Sequence, residues 1–106
     1  MKYEHILWCK DEKTNADKVW GVIRLQDEVA RDYPYSKPLT YVTFWGRRGK
    51  ALQTKTWEGI PWDANKLKLK KVDKGYKEVD KNGLDEVYPE FEQDLEKTAV
   101  WAMLGA

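Results

Sequence analysis

Residues 39–57, LTYVTFWGRRGKALQTKTW, constrain the fold more than any other part of the chain. Two runs rich in branched and aromatic residues, 39–45 and 51–57, flank a stretch holding Gly46 and Gly49. Such residues pack well on a pleated, half-buried surface, and glycine lets a chain reverse tightly. The two runs read as an antiparallel hairpin with its turn at residues 48–50. A lone hairpin is at best marginally stable in water, so the rest of the chain has to extend the sheet and cover it.

Residues 3–9 and 18–25 supply two more strands, and Gly21 inside the second marks a bulge or a close backbone approach. Residues 11–17, DEKTNAD, are a polar turn-forming segment. Residues 26–38 are a loop holding Pro34, Pro38 and three acidic side chains. Strands joined this way form an antiparallel meander. Beyond EGIPW at residues 58–62, Asp63 stands where an N-cap would, and Gly75 stands where a helix would stop. The alternating run KLKLK argues for a strand, but the cap and stop predict a helix. On that helix Leu69, Val72 and Tyr76 share a stripe and Leu67 falls off it.

Lys81, Asn82 and Gly83 read as a turn. Pro89 suits the first position of a further helix. Glu90, Glu92 and Asp94 lie near its positively charged end. Phe91, Leu95, Ala99, Ala102 and Met103 form its packing face. The expectation is an α+β domain: an antiparallel sheet of about four strands, one helix after the last strand, and an additional C-terminal helix.

A chain of 106 residues fits one domain, and 42% hydrophobic residues suffice for one modest core. Cys9 is the only cysteine, which rules out an internal disulfide and suits a reducing compartment. It lies in an apolar run and reads as a small core or edge residue rather than a nucleophile. The opening MKYEHILWCKDEK has too short an apolar run for a signal peptide, and the closing TAVWAMLGA is too short to span a bilayer. A cytoplasmic, monomeric protein without membrane contact is expected.

Catalytic readings find little support in the residues. His5, the single histidine, has no acid or nucleophile spaced to serve it. Phosphate-cradling loops, zinc-protease motifs and paired-cysteine metal sites do not occur. No cofactor, metal or enzymatic activity is expected. Charge is more informative. Residues 45–81 carry 11 basic and 5 acidic side chains, and residues 82–106 carry 1 and 6. The basic block fits contact with a polyanion, or a solvated helix.

That block begins at Trp45. Side chains alternate along a strand, so Tyr41, Thr43, Trp45 and Arg47 share one face and Val42 and Phe44 the other. The second face reads as core. The first ends in a ring beside a guanidinium. A ring can stack on a sugar or an unpaired base, and arginine can fork onto a phosphate. Arg48, Lys50 and Lys55 could add phosphate contacts, and the flanking glycines would let a phosphate chain come close. The alternative is structural: Trp45 caps the core and Arg47 stacks on it from solvent.

The stretch WGRRGKALQTKTW resembles the WGR domain family, named for its tripeptide. Trp45, Gly46, Arg47, Gly49, Gln53, Thr54 and Lys55 fall in register with the family pattern. The run KKVDKGY, residues 71–76 at its close, is similar to the family's closing K-x-x-x-G-Y. Leu52 replaces the family's second glycine, and Arg48 stands where an apolar residue is usual. The resemblance covers about residues 2–80, so residues 1–80 are expected to form a WGR-like domain. Residues 81–106 are then a C-terminal helical extension packed on that domain.

WGR domains occur in DNA-dependent poly(ADP-ribose) polymerases, where the module binds DNA near a strand break. The tryptophan packs on the sugar of a terminal nucleotide there, and the arginine contacts nucleic acid and neighbouring domains. The resemblance implies those roles for Trp45 and Arg47, with Gly46 turning the backbone between them. The expected function is binding of nucleic acid by a non-enzymatic module. Its partner is DNA at duplex ends or breaks, with RNA sharing the same chemistry. Its site is Trp45, Gly46, Arg47, Arg48, Lys50 and Lys55. The competing expectation is a protein-interaction module that uses the same surface and the C-terminal helix.

Overall fold

A computed structural model of the chain describes residues 1–13, 16–26 and 38–105. The described residues form a five-stranded antiparallel sheet ordered β4-β3-β2-β1-β5. Its strands are β1 (Lys2–Asp11), β2 (Ala16–Arg24), β3 (Leu39–Arg47), β4 (Gln53–Gly59) and β5 (Lys77–Glu78). The α+β class and the meander are as expected. The fifth strand is an addition: it is two residues long and pairs with Leu7 and Trp8 of β1. Most of the expected loop at 26–38, and Thr14 and Asn15 of the expected turn at 11–17, lie outside the described residues.

Both faces of the sheet are covered. On one side Ile6, Val19, Ile23, Val42 and Phe44 pack against Leu84, Tyr88, Phe91, Leu95 and Leu104. The partners come from α2 (Lys81–Val87), the C-cap Tyr88, α3 (Phe91–Glu96) and α4 (Trp101–Gly105). On the other side Leu7, Trp20, Val22, Leu39 and Tyr41 pack against Ala64 of α1 (Pro61–Asp73). The Val42/Phe44 face is core, as read from the sequence. The Tyr41/Trp45 face carries a second, smaller core beneath α1.

Gly21 is a close approach. A Cβ there would stand 2.2 Å from Phe44 Cζ and 2.7 Å from the His5 carbonyl oxygen. The Phe44 ring therefore lies across the β2 backbone, and only a residue without a side chain can sit beneath it. The neighbouring β1–β2 register shifts between Tyr3 and His5.

The helices depart from expectation in several ways, the expected C-terminal helix opening at Phe91 rather than Pro89 and leaving Ala99, Ala102 and Met103 exposed. Helix α1 begins at Pro61, so Asp63 is its third residue rather than its N-cap; from there its carboxylate accepts from the Ile60 N–H at 3.0 Å. The inward face of α1 is Ala64 with Leu67, while Leu69 and Val72 are 47% and 42% exposed. Residues 81–83 open α2 instead of forming a turn, because the Asp80 carboxylate caps the helix through the Gly83 N–H. The C-terminal helix is two short helices. Thr98 bonds back to the Leu95 carbonyl with both its N–H and its hydroxyl, ending α3 early. The stop of α1 is as expected: Gly75 has φ +98°, and Tyr76 N–H reaches the Lys71 carbonyl while Gly75 N–H reaches Val72. Those two bonds are the Schellman pattern.

Candidate nucleic-acid interface

The β3–β4 hairpin runs on to Arg47 and turns where Lys50 N–H meets the Arg47 carbonyl. Gly49 takes φ +81° in that turn, a conformation L side chains rarely adopt. Leu52 is buried and lies over Gly46, where a Cβ would stand 3.2 Å from Leu52 Cδ2. The leucine in place of a second glycine thus joins the core on the Phe44 side.

The expected site residues divide among three places. Trp45 is half-buried beside Trp20, its partner in register on β2. Lys55 stands opposite Thr43 on β4, on the same face. Trp57 lies next along β4, stacked on Tyr41 with ring centroids 4.7 Å apart, and donates from Nε1 to Thr43 Oγ1 at 2.8 Å. These side chains floor a groove of about 420 Å³ between the hairpin and α1, closed on the helix side by Leu67 and three lysines. Arg47 follows Trp45 at the exposed end of this face, opposite Lys18.

Arg48 and Lys50 are elsewhere. The Arg48 guanidinium pairs with Asp17 at 2.9 Å and donates to the Val87 carbonyl. Asp17 in turn accepts from Trp8 Nε1 at 2.9 Å. Arg48 therefore clasps the turn to β2 and to the end of α2. Lys50 lies with Asp94, Lys97 and Thr98 in a separate hollow beside α3.

The groove's charge comes from residues the sequence reading did not select: Lys70, Lys71 and Lys74 join Lys55 around it. None of its described lining residues is a carboxylate. Lys66, Lys68, Lys81 and Lys97 each have an acidic partner within 4.0 Å. Among the described residues, the four groove lysines have none. Burial lowers the Lys71 pKa from its ordinary value, and the charges of Lys74 and Lys18 lower it further. A cluster of cations that repel one another is stabilised by an arriving anion.

One sequence signal pointed here. The alternation that puts Lys55 on the Trp45 face also puts Trp57 there. The α1 lysines are visible only once the helix lies across that face. No protein-family model matches the chain, and neither a curated protein nor a solved structure matches it.

Proposed function

We propose that this chain is a nucleic-acid-binding module that recognises DNA ends or breaks through the groove beside Trp45. The observation that carries the reading is four lysines, without acidic partners among the described residues, around a floor of three tryptophans. Phosphates supply most of the affinity in such a site, and rings supply sequence-tolerant stacking. The resemblance of the β3–β4 hairpin to the WGR motif supports the same reading, with Trp45 against a terminal nucleotide and Arg47 on its phosphate. Arg48 and Lys50 play no part in this version of the site, because one is held by Asp17 and Val87 and the other lies beside α3. A protein-docking role for the C-terminal helix has less to stand on, since Phe91, Leu95 and Leu104 are buried in the chain's own core.

The test is anisotropy of a fluorescent duplex with free 5′-phosphorylated ends against the same duplex closed by hairpins, over a salt series. The open duplex should bind more tightly, and Trp45→Ala/Arg47→Ala should remove the preference. Affinity should fall with salt at a log–log slope of about −0.9 per phosphate contacted. Absence of binding to either duplex at low salt would refute the proposal.

A further inference from the structure

We infer that the groove is a slot for an unpaired nucleotide, so that the preferred ligand is an end carrying a single-stranded extension rather than a blunt one. The inference rests on the nucleic-acid reading above and narrows it.

The first argument is the spacing of the rings. Trp45 and Tyr41 are four residues apart on β3, about 13 Å along the strand. Trp57 lies flat on Tyr41 with its Nε1 edge at Thr43, so this edge and Trp45 flank the Thr43–Lys55 pair. Thr43 and Lys55 floor the groove beside these rings, and its volume of about 420 Å³ admits one flat base. The Trp57 ring is held beforehand by Tyr41 and by its bond to Thr43, which lowers the cost of ordering it on binding.

The second argument is the placement of charge. Lys70 and Lys74 are one helical turn apart, about 6 Å along α1, and line the wall facing the rings. That arrangement follows one sugar–phosphate chain whose bases point at the sheet. A duplex is too thick to lie between α1 and the hairpin in a space of about 420 Å³, whereas a single strand fits. Beyond Trp57 the cationic excess ends, because the adjoining hollow sets Glu58 and Asp63 against Lys66 and Lys70. Lys66 there is already paired with Asp63 at 3.7 Å. The cationic track is therefore short and ends at the carboxylates, which suits an extension of few nucleotides.

The test compares a blunt duplex, the same duplex with a single-stranded extension of about four nucleotides, and the same extension built from abasic sugars. The extended duplex should bind about tenfold more tightly than the blunt one, the gain expected from stacking one base. The abasic extension should lose that gain, since it keeps the phosphates and lacks the rings. Lys70→Gln/Lys74→Gln, at two exposed positions, should also lose it. Lys2→Gln/Lys97→Gln, which removes the same charge outside the groove, should keep it. Equal affinity for blunt and extended duplexes, or a gain retained with abasic sugars, would overturn the slot and leave the end-binding reading standing. No binding to any of the three would overturn both.

Discussion

Gly21→Ala tests the packing that sets the hairpin in place. The added methyl would lie 2.2 Å from Phe44 Cζ, 2.5 Å from Phe44 Cε2 and 2.7 Å from the His5 carbonyl oxygen. Phe44 is fully buried and tilted against Phe91 at 5.0 Å between ring centroids, so the ring has no free space to retreat into. Overpacking of this kind costs about 1–3 kcal/mol, and the contact with backbone puts this site at the upper end, about 3 kcal/mol. For a domain of this size that lowers Tm by roughly 12–20 °C. Phe44→Leu alone removes part of the ring and should cost about 1–2 kcal/mol. Combined with Gly21→Ala it vacates the space the methyl needs. The double variant, measured by urea unfolding, should therefore be more stable than the sum of the two single costs by about 1–2 kcal/mol. Additivity to within about 0.5 kcal/mol would refute the idea that Phe44 is what excludes a side chain at position 21.

Two further outcomes follow from the geometry. Arg48→Gln removes a partly exposed ion pair with Asp17 and should cost about 1 kcal/mol in thermal or urea unfolding; its salt slope of binding should stay unchanged, and a fall of about 0.9 would mean that Arg48 reaches a phosphate after all. His5 has its pKa lowered, chiefly by burial and then by Lys68, against the opposing pull of Glu78 and Glu4. Above its ordinary value of 6.5 the imidazole is neutral folded or unfolded; as pH falls below 6.5 the unfolded chain takes the proton first, and stability drops. Melting curves from about pH 7.5 to pH 5 should therefore fall less steeply for His5→Gln than for the natural chain, and parallel curves would refute this.

The strands were legible because their periodicity is local: Val42 and Phe44 point one way and Tyr41 and Trp45 the other, whatever covers them. What lay on each face was not legible. Leu69 and Val72 make a plausible stripe on their own helix, but the sheet beneath α1 is crowded with Trp20, Trp45 and Trp57, and small Ala64 with offset Leu67 fits there better. β5 escaped notice because two residues carry no pattern, and they are strand only through their bonds to β1. Residues 81–83 have turn composition, and Asp80 turns that composition into a helix start. At the site, Trp45 was found by alternation, and Lys55 as a cation near it in sequence. Arg48 was misplaced because its partners, Asp17 and Val87, are far away in sequence. Lys70, Lys71 and Lys74 were lost among other lysines until tertiary structure separated the paired from the unpaired.

The two helical layers differ in sign. Helix α1 brings its lysines to one side of the sheet, while the segment from residue 82 onward carries six carboxylates and one lysine on the other. With layers stacked about 10 Å apart, these sides are separated by roughly 20 Å, more than twice the screening length at physiological salt. The molecule is thus an electric dipole across its thickness, and its two poles act almost independently on anything close by. An extended anion repels the acidic pole and attracts the basic one, turning the protein groove-first before contact. Under the proposed reading, a strand docked in the groove would leave the acidic back facing solvent, where it would repel a second anionic strand.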